Sequence, residues 1–321
     1  MVELMPEPDV PQEPTCRGFL TGHGGTALAY ARWEHPRPRG RVVIVHGYGE
    51  HGERYRHTAH WLNGLGWSVS AMDHRGFGRS GGVRGDAVGI HAPVEDLAFF
   101  LRHERRWDVE RVGQGPPMDG DVPLPFPPVC PQVVLGHSFG GLVALLTLLW
   151  HADTLDGLIL SSPAVGLRPF PVLLKAMQTV LVHLAPHRPL DLPNDKALVC
   201  SDPVLVQDYW DDPLCHRFIT AGFVAAMAEG RAELLPLGAE LDRPMLLLEA
   251  DEDTVVDPDG SEELWGAIRP GLLSRHRLEG FRHEVFHDLL RAEAESLAGP
   301  WLERFSAEFS GTKPPLTAIF N

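Results

Sequence analysis

Apolar residues in this chain fall into short unbroken runs, separated by stretches with helical spacing. RVVIV (41–45), QVVLG (132–136), LDGLILSS (155–162) and PMLLLEA (244–250) have strand length and little polar alternation, the pattern of parallel strands buried on both faces. Further strands are predicted at Trp67–Met72 and SRHRLEG (274–280). Helices are predicted at 53–64, at 93–107 with Val94, Leu97, Ala98 and Leu101 on the inner face, at 142–150, at 259–268 and at 285–308. Residues 17–34 read as two antiparallel strands around a Gly24-Gly25 turn. Repeated strand–helix alternation predicts an α/β protein with a parallel sheet covered on both faces.

Two segments break this rhythm. Residues 112–131 carry seven prolines and read as an extended surface loop. Residues 163–243 hold helix-like stretches and no convincing strand, and are expected to form a helical cap over one end of the sheet. Leu173, Met177, Val180, Leu181 and Leu184 share an apolar face of its first helix. That face is expected to pack on the domain below, with the lining of an apolar substrate channel as the sharper alternative. The expected organisation is an N-terminal arm (1–16), a core (17–162 and 244–308), the cap (163–243) and a C-terminal tail (309–321).

Composition narrows the partners. Of 321 residues 44% are hydrophobic, enough for a sizeable core, while a formal net charge of −15 has the wrong sign for gripping a phosphate backbone. No nucleic-acid partner is expected. Nor is stable membrane insertion, since no stretch approaches the roughly 20 apolar residues a span needs. The acidic, Pro-rich start lacks the basic and apolar regions of a signal peptide. Cys16, Cys130, Cys200 and Cys215 form no C-x-x-C pair and read as thiols of a reducing compartment, so a cytoplasmic location is expected.

Several motifs point elsewhere and lose on context. G-x-G-x-x-G occurs at Gly47-Gly49-Gly52 and at Gly76-Gly78-Gly81. The first has Asp73 near the end of the next strand, as a dinucleotide site would, but Glu50 would sit beside the pyrophosphate. The second leads into GVRGDAVG, which is no helix. HEVFH (283–287) fits H-E-x-x-H, with Glu284 as the base of a zinc site. Its third ligand is missing: Glu303 and Glu308 fall on the same helix or its extension, and His287 reads as an ordinary helix residue. His46, His51, His57 and His60 follow no ligand spacing and are assigned surface or supporting roles. No metal or cofactor is expected.

G-x-S-x-G also occurs twice, around Ser80 and Ser138. Ser80 sits several residues beyond its strand and is followed by loop. Ser138 leaves the strand QVVLG and enters the helix LVALLTLLW, the strand–turn–helix geometry of a nucleophile elbow. A serine hydroxyl then needs a base held by a carboxylate, and a doubly wound hydrolase supplies them in the order Ser, acid, His. Asp253, three residues beyond PMLLLEA, is the expected acid, with Asp251 and Asp257 as runners-up, and His283 after SRHRLEG is the expected base. The first strand ends in His46-Gly47-Tyr48-Gly49, a turn able to aim the Tyr48 N–H at a reacting carbonyl oxygen. The Phe139 N–H is the second expected oxyanion donor.

These residues give the chain a resemblance to the monoacylglycerol lipase and lysophospholipase branch of the α/β-hydrolase superfamily. It covers roughly residues 17–308, and rests on HGYGEHGERY (46–55), DHRGFGRSGG (73–82), GHSFGG (136–141), LSSPAV (160–165), DYWDDPL (208–214), EADEDTVVD (249–257) and GFRHEVFHD (280–288). The resemblance implies the α/β-hydrolase fold, a mostly parallel eight-stranded sheet with a helical cap. It also implies hydrolysis of carboxylic esters, Ser138, Asp253 and His283 as triad, Tyr48 and Phe139 as oxyanion donors, and Glu50 and Arg54 as a polar pair on the glycerol side. The chain departs from the branch in its longer loop 112–131 and in Ala250, where Gly is more usual.

The expected activity is therefore hydrolysis of medium- or long-chain acyl esters through an acyl-enzyme on Ser138. The partner is a small acyl ester, with transient lipid contact through the cap. One alternative is an aminopeptidase of the same fold, in which Asp211, Asp212 and Glu229 would grip a substrate ammonium. Another is a non-catalytic scaffold.

Overall fold

The computed structural model describes residues 13–113, 130–166, 181–191 and 199–310. Its strands are β1 (Cys16–Thr21), β2 (Ala27–Trp33), β3 (Arg41–Val45), β4 (Ser68–Met72), β5 (Gln132–His137), β6 (Gly157–Ser161), β7 (Pro189–Asp191), β8 (Phe218–Thr220), β9 (Met245–Ala250) and β10 (Leu273–Leu278). Eight of them form one sheet in the order β1-β2-β4-β3-β5-β6-β9-β10. β2 runs antiparallel to both neighbours, and every pairing from β4 across to β10 is parallel. This is the α/β-hydrolase arrangement.

The unbroken apolar runs follow from the sheet having two buried faces. Val43, Val45, Val134, Leu158, Leu160 and Leu247 enter one apolar cluster. Their alternating neighbours Val42, Ile44, Val133, Ile159, Leu246 and Leu248 enter the other. The helices are α1 (Arg56–Gly64), α2 (His91–Gly113), α3 (Phe139–Trp150), α4 (Pro203–Asp211), α5 (Ala221–Leu234), α6 (Glu262–Ala267) and α7 (Arg291–Ser310). Leu97 and Leu101 of α2 and Leu142 and Leu145 of α3 fill the first face. Ala59 and Leu62 of α1, with Ala298 and Leu302 of α7, fill the second.

The expected helix at 285–308 begins later, at Arg291. Asp288 accepts the N–H groups of Arg282 and Leu290 at 3.3 and 3.0 Å, and that turn keeps residues 283–290 out of the helix apart from a 3₁₀ turn at Val285–His287. The first two residues of the loop expected at 112–131 belong to α2, which runs to Gly113, and 114–129 lie outside the described residues.

β6 and β9 are neighbours in the sheet but are separated by more than eighty residues of chain, so the intervening segment is an insertion. It holds α4 and α5, each started by a side-chain cap: Asp202 accepts the N–H of Val204 at 2.9 Å, and Thr220 that of Phe223 at 3.0 Å. It also holds strands the hydrophobic pattern did not reveal, an antiparallel β7–β8 ribbon. Three residues are too few to display a period of two. Of the expected apolar face, Leu184 is 78% exposed at the last turn of the helical residues 181–184, while Leu173, Met177 and Val180 lie outside the described residues. The insertion is fastened to the core by Thr220 Oγ1 on Gly85 O at 3.3 Å and by Arg231 on Val165 O. Among the described residues no helix is long and apolar enough to cross a membrane.

Candidate active site

The turn between β5 and α3 holds its serine in a constrained backbone conformation. Ser138 takes φ 50° and ψ −115°, a region side-chain-bearing residues avoid. Its N–H donates to Ser161 O at 3.0 Å, and its carbonyl accepts the N–H groups of Gly141 and Ala164 at 3.0 and 2.9 Å. The turn can be this sharp because Gly140 has no side chain: a Cβ there would stand 2.1 Å from Val45 O. The strain lifts the Ser138 hydroxyl off the end of β5.

Two loops from neighbouring strand ends meet it. His283, after β10, places Nε2 2.9 Å from Ser138 Oγ, and its Nδ1 lies 2.7 Å from Asp253 Oδ2, after β9. The other oxygen of Asp253 accepts the N–H groups of Val255 and Val256, both at 2.8 Å. Burial pushes the Asp253 carboxyl up, but His283 and these two N–H groups outweigh it and hold the group below its ordinary value. An ionised Asp253 requires the proton on Nδ1 of a neutral His283, which leaves Nε2 free to accept from the serine hydroxyl.

The runners-up are spent on turns. Asp251 accepts Gly280 N–H at 2.7 Å, and Asp257 accepts Asp259 N–H at 3.3 Å.

The turn after β3 packs against the serine, since a Cβ on Gly47 would lie 3.3 Å from Ser138 Cβ. His46 beneath it is buried, in the supporting one of the two roles expected for it. Its Nε2 accepts His74 N–H at 2.9 Å, which assigns the ring proton to Nδ1, 2.7 Å from Gly47 O. Burial lowers the pKa of His46 and keeps the ring neutral. Phe139, the first residue of α3, has an N–H that the helix cannot use. Tyr48 turns its ring into an aromatic group of Phe77, His216 and Phe223, with its hydroxyl on Phe218 O in the insertion.

Glu50 and Arg54 are buried against each other, and Arg54 also forks onto Glu284 at 3.1 and 3.3 Å. His51 is buried with Nε2 2.7 Å from Asp212 of the insertion, and His57 Nε2 lies 2.6 Å from Phe286 O. Of the surface or supporting roles expected for these histidines, the structure favours the supporting one. They fill the seam between the β3 loop and the elements packed on it.

His287 is likewise no ordinary helix residue: it is buried in the 3₁₀ turn, with Nε2 3.2 Å from Arg54 O. The two histidines of H-E-x-x-H thus serve different partners. Among the described residues, the groups whose three donor atoms approach within 4.8 Å are His51–Asp212–Cys215 and His91–Glu229–Glu233. Asp73, the residue a dinucleotide site would need, is buried and accepts the N–H groups of Gly52 and Arg79.

A doubly wound sheet with a strained serine, a histidine and an aspartate in hydrogen-bonded series defines the serine hydrolases of the α/β-hydrolase superfamily. Comparison with known proteins narrows this. A family profile described as serine aminopeptidase S33 matches residues 36–289, and the chain belongs to that family. It is 33% identical over 275 residues to a monoacylglycerol lipase of Mycolicibacterium smegmatis, covering 84% of this chain and 90% of the relative. It is 30% identical to human monoglyceride lipase, covering 87% of each. The crystal structure of Paleococcus ferrophilus monoacylglycerol lipase superposes with a TM-score of 0.70 at 28% identity, covering 87% of this chain and 99% of that one. The chain is a serine ester hydrolase.

Proposed function

We infer that the chain hydrolyses monoacylglycerols and related single-chain esters of medium or long acyl length. One observation carries this reading: the Ser138–His283–Asp253 series at 2.9 and 2.7 Å, in a chain similar along most of its length to monoacylglycerol lipases. His283 Nε2 takes the hydroxyl proton as Ser138 Oγ attacks the ester carbonyl. Asp253 fixes the tautomer and balances the imidazolium. The N–H groups of Tyr48 and Phe139 receive the oxyanion, and each such donor is worth about 10²–10³ in turnover. As the tetrahedral intermediate collapses, the glycerol oxygen leaves with the proton from His283. Water, activated by the same imidazole, then releases the fatty acid from Ser138.

Residues 163–243 serve as the cap over a core of 17–162 and 244–308, between an arm at 1–16 and a tail at 309–321. The cap touches lipid only transiently, and the enzyme works in the cytoplasm. A chain-length series of monoacylglycerols and p-nitrophenyl esters tests the substrate class. Activity rising with acyl length on both series is expected, and hydrolysis confined to acetyl or butyryl esters would overturn it.

The family description favours one second reading, an aminopeptidase. It needs free carboxylates to hold an ammonium. Asp212 engages His51, Asp211 engages Gln207, and Glu229 lies 3.4 Å from Ile90 N–H. Cleavage of an aminoacyl-naphthylamide faster than a monoacylglycerol would favour the peptidase.

A further inference from the structure

Next to the serine lies a buried three-charge cluster that the hydrolytic steps do not use. Glu50 sits at the end of the β3 turn and accepts the Gly47 N–H at 2.6 Å and the Tyr55 hydroxyl at 2.9 Å. It therefore holds the His46–Gly47 peptide, one peptide before the one that carries the Tyr48 N–H. Glu284 is the residue after His283, and its own N–H is held by Val199 O at 2.8 Å. The guanidinium of Arg54 stands between the two carboxylates and bonds to both. Its carbonyl accepts from His287 Nε2 on the same loop as His283. Glu50 and Glu284 are 1% and 3% exposed, so their mutual repulsion is barely screened by water. The cation between them favours the charged form of both, and its planar fork reaches both at once.

We propose that Arg54, clamped between Glu50 and Glu284, is a positioning residue that couples the oxyanion turn to the loop carrying the base. The coupling fixes the spacing of the Tyr48 N–H and the His283 imidazole around Ser138, and so rests on the hydrolytic reading given above. It differs from the role implied by resemblance, in which Glu50 and Arg54 contact the glycerol end of the substrate. A residue that touches glycerol matters only for esters that contain it. A residue that sets the hole against the base matters for every ester.

The experiment measures kcat and KM for Arg54→Lys, Arg54→Met and Glu284→Gln on a monoacylglycerol and on the p-nitrophenyl ester of the same fatty acid. Labelling by a fluorophosphonate probe is followed in parallel. The coupling predicts that kcat falls by about 10- to 100-fold on both substrates, since small misplacements cost rate on that scale. KM should stay nearly constant, labelling should slow by the same factor, and Lys should not rescue Arg.

If Arg54→Met does not fold, the near-isosteric Glu284→Gln decides. A KM increase on the monoacylglycerol alone would overturn the coupling in favour of substrate contact. A lower melting temperature with unchanged kcat would overturn it in favour of a plain brace. Ser138→Ala is measured alongside. Loss of activity there with normal kcat in the Arg54 variants defeats the coupling alone, whereas full activity in Ser138→Ala defeats the site itself.

Discussion

Ser80 and Ser138 occupy the same five-residue frame, yet their backbones put them to opposite uses. Ser80 lies in the loop after β4, where its hydroxyl donates to Asp73 O at 2.6 Å and accepts Ala29 N–H at 2.9 Å. One bond closes the loop on the residue after β4 and the other ties it to β2, so both hydrogen-bonding roles are spent. Ser138 follows its strand without a spacer and opens α3, so its hydroxyl is carried past the sheet edge to His283. The neighbouring elements differ and the motif does not. A nucleophile is made by the direction in which the chain leaves the sheet, and by which loops end beside it.

That contrast can be broken by substitution. Ser138→Ala should cost about 10⁴-fold or more in ester hydrolysis with the fold intact, measured by kcat and circular dichroism. Asp253→Asn should follow at about 10³–10⁴-fold, because it frees His283 to take the wrong tautomer. Gly140→Ala attacks the elbow itself: with Val45 O in the way, a loss of about 3 kcal/mol in denaturant unfolding is expected.

Ser80→Ala, the counterpart of the first change, should leave kcat within about two-fold and cost about 1–2 kcal/mol of stability. The smallest effect is a pH dependence. Asp253 is held below its ordinary 3.8, so its charge stabilises the fold fully above that value and loses this effect as pH falls through the lower, folded-state one. The stability gap between wild type and Asp253→Asn should narrow in acid below about pH 4.

Much of the fold was legible because a sheet buried on both faces writes unbroken apolar runs, as in RVVIV at β3 and QVVLG at β5. The β7–β8 ribbon was not, since strands of three residues carry no period. Ser138, Asp253 and His283 could be named because each stands at a fixed distance beyond a readable strand, and the structure brings them into contact. Asp253 could not be separated from Asp251 and Asp257 by charge alone. What separates them is that an oxygen of Asp253 reaches His283 Nδ1, whereas Asp251 and Asp257 accept the backbone N–H groups of Gly280 and Asp259.

The burial of His46 and His51 left no trace in their spacing, because it comes from elements far away in the chain. The Glu50–Arg54–Glu284 cluster was half legible: Glu50 and Arg54 are four residues apart, but Glu284 joins them across 230 residues.

Reaction of the full chain with a fluorophosphonate, followed by peptide mass mapping, tests the central claim most directly. A single adduct on the peptide holding Ser138, formed in step with the loss of ester hydrolysis and absent from Ser138→Ala, is the predicted result. An adduct on Ser80, or undiminished hydrolysis in protein fully labelled at Ser138, would contradict it.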